Sequence, residues 1–176
     1  NPEKLNQLIF TSNREGSIGK GTDQWTGVAF SDLYKSDKPK SKNTEWPGEW
    51  SPILPLDESE ILNSSVNEGE ATANKKGSAL YLTKCPQDKK KVQGCYIYVT
   101  SKKGKSWGEP ELVELGPDSF NYVHPFIMDD ELTIYFASNI PGGYGGYDIY
   151  KATRAKKSAK FSNITNLGPN VNTPGQ

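Results

Sequence analysis

The sequence predicts an all-β fold made of short antiparallel strands joined by tight turns. Three observations carry that expectation. Apolar, aromatic and β-branched residues gather in short runs such as Leu8-Ile9-Phe10-Thr11, Leu80-Tyr81-Leu82-Thr83 and Ile134-Tyr135-Phe136-Ala137, the composition of half-buried strands. Turn formers punctuate those runs: 176 residues include 17 Gly and 12 Pro, with Asp and Asn beside many of them. Helical periodicity is nearly absent, and only Leu56 to Leu62 allows one short helical turn.

Composition bounds the rest. Hydrophobic residues are only 34% of the chain, yet nine Tyr, six Phe and four Trp make it too aromatic for disorder. A modest core spread over several small sheets is the expected outcome.

The strand runs recur in one order, which is the strongest signal in the chain. In the first unit, Leu8-Ile9-Phe10-Thr11-Ser12-Asn13 leads through a turn at Gly16 to Asp32-Leu33-Tyr34, and a stretch from Trp50 closes on Leu56. In the second, Glu70 opens a strand that turns at Lys75-Lys76-Gly77 into Leu80-Tyr81-Leu82-Thr83. Tyr96-Ile97-Tyr98 follows, and a stretch from Trp107 closes on Leu115. In the third, His124 takes the place of Glu70 and the turn is Asp129-Asp130-Glu131. Ile134-Tyr135-Phe136-Ala137-Ser138-Asn139 then leads through Gly142-Gly143 to Asp148-Ile149-Tyr150, and Phe161 runs to Leu167. Leu82 to Phe136 is a step of 54 residues. The step from Phe10 to Leu82 is longer, which places an insertion within residues 14–50.

Four short strands in about 40–50 residues are what one blade of a β-propeller requires. A β-sandwich does not predict the same four-part order three times. The expected architecture is therefore about three blades of four antiparallel strands, over residues 1–65, 66–119 and 120–170. Residues 171–176 lead into a further blade, with Val171 to Gln176 aligned on Val66-Asn67. The first unit has only Asn1 to Gln7 ahead of its strong strand, so its innermost strand is expected to be missing. Three blades cannot close a ring. The segment is expected to belong to a larger propeller, or to have its open faces covered by another chain.

The third unit carries a family resemblance. Ile134 to Asn139, then Pro141-Gly142-Gly143-Tyr144-Gly145-Gly146-Tyr147-Asp148-Ile149-Tyr150, then Asn166-Leu167-Gly168-Pro169-Asn170-Val171-Asn172-Thr173-Pro174-Gly175, resembles the TolB-type, WD-like propeller repeat. The version it is most similar to occurs in Bacteroidetes envelope lipoproteins with a peptidoglycan-binding OmpA-like domain, among them a component of the type IX secretion system. The third unit matches well, the first partly and the second weakly, since it lacks the Gly-Gly-Tyr-Gly-Gly turn. No peptidoglycan-binding segment lies within this sequence. The resemblance implies a periplasmic scaffold associated with the outer membrane, coupled to peptidoglycan through a neighbouring domain.

The chemistry-bearing residues point the same way. Net charge is zero and the basic residues are nearly all Lys, with Arg14 and Arg154 the two arginines. Nucleic-acid binding therefore loses its electrostatic basis, and a three-arginine sialidase cluster cannot be built. Lys89-Lys90-Lys91 and Lys156-Lys157 read as solvated hairpin tips. Cys85 and Cys95 flank a short loop between two apolar runs. A disulfide there would contribute about 3 kcal/mol in the chain-entropy model and imply an oxidising compartment; two free thiols are the alternative. Two Cys and one His are too few for a zinc site, and no cofactor motif is present.

Gly142 to Gly146 is followed at once by a strand, so it reads as a glycine-rich turn that Asp148 caps, and not as a phosphate loop. Thr100 to Trp107 resembles the Asp-box turn of sialidase-type propellers, with Lys102 where the acid belongs. His124, the one histidine, is expected near the central channel in a structural hydrogen bond. Asp129-Asp130 reads as a solvated turn. Glu68 and Glu70 could flank a cleft, which is the residue basis of the alternative reading, a propeller-type glycoside-active enzyme completed by other blades. Trp50 and Trp107 are expected to pack between blades. Trp25, Trp46 and His124 are the candidate partner surface, the two tryptophans because they fall in the insertion without a repeat counterpart. The leading expectation is a non-catalytic, protein-binding envelope scaffold with no membrane span.

Overall fold

In the computed structural model, the residues described are 6–18, 22, 27–38, 49–86 and 94–175. Twelve strands form three antiparallel sheets, and none of the described residues is helical. The first sheet has the order β1 (Gln7–Ser12), β2 (Asp32–Asp37), β3 (Leu54–Pro55). The second runs β4 (Asn67–Ala73), β5 (Ala79–Cys85), β6 (Tyr96–Lys103), β7 (Ser106–Trp107), with β8 (Glu111–Leu112) also pairing with β6. The third runs β9 (Tyr122–Ile127), β10 (Thr133–Ser138), β11 (Asp148–Thr153), β12 (Ser162–Asn166). Apart from β8, which pairs with β6, each strand pairs only with neighbours in sequence, the connectivity typical of antiparallel sheets.

The three sheets share one register. Phe10 lies opposite Tyr34, Leu82 opposite Tyr98, and Phe136 opposite Tyr150. Two of these pairs stack, at 6.1 and 5.9 Å between ring centres, the arrangement that offset aromatic pairs favour. The middle sheet substitutes an aliphatic residue and keeps the register.

Because strand side chains alternate between faces, the middle sheet buries one face against the first sheet and the other against the third. Leu33, Leu56 and Leu62 of the first unit close against Leu80, Leu82 and Trp107 of the second. Tyr81, Ile97, Val113 and Leu115 of the second close against Ile134, Phe136, Tyr150, Ala152 and Phe161 of the third. Leu33, Ile97 and Ile149 occupy equivalent register positions. The first two are fully buried, whereas Ile149 is 38% exposed on the outer face of the third sheet.

Polar clamps recur at repeated positions, one kind joining neighbouring sheets and the other holding a connecting segment to a strand. The Ser31 N–H donates to Asn67 Oδ1 and its carbonyl accepts the Glu68 N–H. One sheet later the Cys95 N–H donates to Asn121 Oδ1 and its carbonyl accepts the Tyr122 N–H. A second clamp joins Asn63 to both backbone groups of Leu33, and Asn172 to both backbone groups of Ile149. These buried amides satisfy backbone groups that no strand partner reaches. They also correct one alignment: Asn172 does the work of Asn63, four residues before the Asn67 with which sequence order pairs it.

The short helical turn that Leu56 to Leu62 would allow does not form. Asp57 accepts from the Ser59 hydroxyl and the Ile61 N–H, and this side-chain competition holds the stretch as a non-helical turn.

Candidate functional site

The edge strands β4 and β9 lie against each other and carry the same irregularity. In β4 two residues, Gly69 and Glu70, stand opposite Thr83, between the pairs Glu68–Lys84 and Ala71–Leu82. In β9 the shift falls between the pairs Val123–Ala137 and Phe126–Tyr135. Such bulges re-aim side chains and are enriched beside functional sites. Here they bring Glu70 and His124 together: His124 Nδ1 lies 2.8 Å from Glu70 Oε2, with both side chains exposed. His124 has φ 54°, a left-handed conformation that costs a non-glycine residue energy. Its N–H is held by Thr83 Oγ1. The hydrogen bond to Glu70 holds the imidazole pKa above its ordinary value against the pull of desolvation, and the same bond holds the Glu70 carboxyl low. Phe126, on the same strand, is 56% exposed.

Glu68 and Glu70 do not flank a cleft. The bulge turns them apart, so Glu68 is fully buried against Ser64 and Lys84 while Glu70 faces solvent. That geometry removes the residue basis for a glycosidase pair in this segment.

The turns at the opposite ends of the strands are closed in two ways. Asp148 Oδ2 accepts the Tyr144 N–H at 2.6 Å, and Oδ1 accepts that of Gly145 at 3.1 Å. Burial works to raise this acid's pKa, yet Tyr144, Asn166 and Gly145 as donors hold it below its ordinary value. Gly143 is required here because a Cβ would meet Asp148 Oδ2 at 1.8 Å. In the first sheet the equivalent Asp32 accepts the Ile18 N–H at 2.7 Å. The middle sheet has Tyr96 at this position, and its hairpin is closed by the Cys85–Cys95 disulfide, with Cα atoms 4.1 Å apart. The register that pairs Lys84 with Tyr96 sets the two cysteines opposite each other one step further along.

The remaining candidates are structural or lie elsewhere. Trp107 is buried between the first two sheets, with the Lys102 ammonium 5.2 Å from its ring centre, and Trp50 is half-buried. Asp129 forms an exposed ion pair with Lys75, and the Asp130 carboxylate caps the Leu132 N–H. Lys156 and Lys157 are exposed between β11 and β12. Trp25, Trp46 and Lys89-Lys90-Lys91 lie outside the described residues. Among the described residues, no three His, Cys, Asp or Glu side chains gather to hold a metal, and no helix is long and apolar enough to cross a membrane. A cleft of about 320 Å³ opens between the outer parts of the second and third sheets, lined in part by Tyr81, Leu112, Arg154 and Phe161. Sequence reading did not anticipate it, because its walls come from units more than forty residues apart. Its Arg154 is already engaged, stacking on Phe161 at 4.4 Å and donating to the Tyr81 hydroxyl and the Glu131 carbonyl.

No protein-family model matches the chain, and no curated protein matches it. Among solved structures the chain is similar to one described as a Mycobacterium tuberculosis puromycin-hydrolyzing peptidase, with a TM-score of 0.45 and 14% sequence identity. That likeness covers 79% of this chain and 22% of the peptidase chain, so the protein spans less than a quarter of that structure's length.

Proposed function

We propose that this chain is a run of β-propeller blades serving as a non-catalytic, protein-binding scaffold in a cell-envelope complex. The observation that carries the reading is how its functional groups are spent. Asn63, Asn121, Asn172, Asp148 and Glu68 are each committed to closing a turn or holding a neighbouring segment in place, which leaves edges and loops to meet a partner. The shared register of the three sheets supports successive blades. So does the exposed Ile149, whose equivalents in the first two sheets are buried by a following sheet. A fourth sheet of the same repeat, from this chain or another, fits that face. The disulfide fits an oxidising compartment such as the periplasm, and an outer-membrane association follows from the repeat's resemblance.

The test has two arms. Purified protein is expected to leave sialosides, other glycosides and peptides unhydrolysed. A photo-crosslinking residue placed at Trp25, Trp46 or Phe126 in cells is expected to give discrete adducts with an envelope protein. Turnover that disappears on His124→Ala would replace the scaffold reading with an enzymatic one.

A further inference from the structure

Asp32 and Glu68 meet at the seam between the first and second sheets, at 1% and 0% exposure. The corresponding seam between the second and third sheets holds Tyr96 and Tyr122 in the equivalent register positions. Two carboxyl groups thus stand where the next seam has two phenol rings.

Their surroundings are incompletely neutralising. Glu68 Oε1 accepts from the Ser64 hydroxyl at 2.5 Å and lies 3.2 Å from Lys84 Nζ; Oε2 accepts the Ser64 N–H at 3.2 Å. Asp32 Oδ2 accepts the Ile18 N–H. Asp32 Oδ1 has no donor, and it is the buried side-chain polar atom left so among the described residues. The Glu68 N–H donates to the carbonyl of Ser31, the residue before Asp32, so the two buried acids belong to the same joint. With both ionised, two negative charges face one ammonium in a seam closed to water, an expensive arrangement. One proton between them removes the excess charge and gives Oδ1 its missing hydrogen bond.

We propose that Asp32 and Glu68 share one proton across this seam, so that the joint between the first and second sheets loosens as the pH rises. In the closed state the hydroxyl of one carboxyl group donates to the carboxylate of the other. Raising the pH releases that proton to water and leaves two anions against Lys84. The groups that face the pair are Lys84 from β5, the Ile18 N–H from the turn after β1, and Ser64 from the connection before β4. Burial is the largest influence on both acids and raises both. An acid whose pKa is raised by folding stabilises fully below its ordinary value, here 3.8 and 4.5, and loses that contribution as pH climbs through the raised value.

Thermal unfolding of the wild type and of Asp32→Asn between pH 4 and 9 tests this. The replacement amide accepts from Ile18 and donates toward Glu68 without titrating. Its midpoint is expected to gain on the wild type as pH rises, by about 2–4 °C, and other titrating groups cancel in the comparison. Parallel curves would overturn the proposal. Infrared spectra of the folded wild type at pH 6 give an independent reading should the variant fail to fold. A protonated-carboxyl band that vanishes on alkaline titration is expected, and its absence would also overturn the proposal.

Discussion

At the residue scale, the account rests on side chains whose roles are set by one or two neighbours. His124 is the only histidine in the chain, so its titration can be followed without assignment. Its bond to Glu70 raises its pKa, and the sign follows: the pair's contribution is full below the ordinary histidine value of 6.5 and fades as pH rises through the raised value. On the acid side, the depressed Glu70 loses its share only as pH falls below 4.5 and through the lowered value. Nuclear magnetic resonance should show a pKa above 6.5 that returns to the ordinary range in Glu70→Gln; an unchanged pKa would refute the pairing. Because both groups are exposed, the stability at stake is under about 1 kcal/mol. Asp148 works under different constraints. Replacing it with Ala leaves the Tyr144 and Gly145 N–H groups without their acceptor, so a lower midpoint is expected in denaturant unfolding. The role of Asp148 was legible from sequence, because an Asx residue beside a glycine turn has few other uses. The separation of Glu68 from Glu70 was not, since alternation places them on one face and only the bulge reverses that.

Elements reveal why the units are alike in outline and different in detail. The strong strands were readable from their apolar runs, and the matching Ser-Asn and Asp-X-Tyr landmarks marked the first and third units as equivalent; the cross-strand partners Phe10–Tyr34 and Phe136–Tyr150 came only with the structure. The side-chain clamps on backbone groups were not readable. An Asn such as Asn63 or Asn172 looks like any turn residue until the backbone it serves is in place. In the middle sheet the disulfide does what a carboxylate does in the other two. Replacing Cys85 and Cys95 together with Ala, or reducing the bond, is expected to lower stability by about 3 kcal/mol in denaturant titration. Hydrogen exchange should place the largest loss of protection at the ends of β5 and β6. A uniform loss across all three sheets would argue against a local role for the bond.

At the scale of the whole molecule, the buried apolar side chains among the described residues gather in two seams between three sheets, and not in one central core. Leu82 is fully buried in the first seam, so Leu82→Ala is expected to cost about 2–5 kcal/mol in denaturant unfolding. On the proposed reading a similar seam covers the outer face of the third sheet, where Ile149 is exposed in the position of Leu33 and Ile97. The all-β class was plain from composition and turn spacing. What sequence order could not supply was which faces touch, because that depends on register and bulges. The central claim, that these sheets are successive blades of one propeller, is tested most directly by thiol labelling of Ile149→Cys in cells that make the protein. The rate is compared with that of the exposed Ser158→Cys. If a further blade covers the third sheet, the thiol at 149 labels much more slowly than the thiol at 158; equal rates would show an open face and contradict the propeller reading.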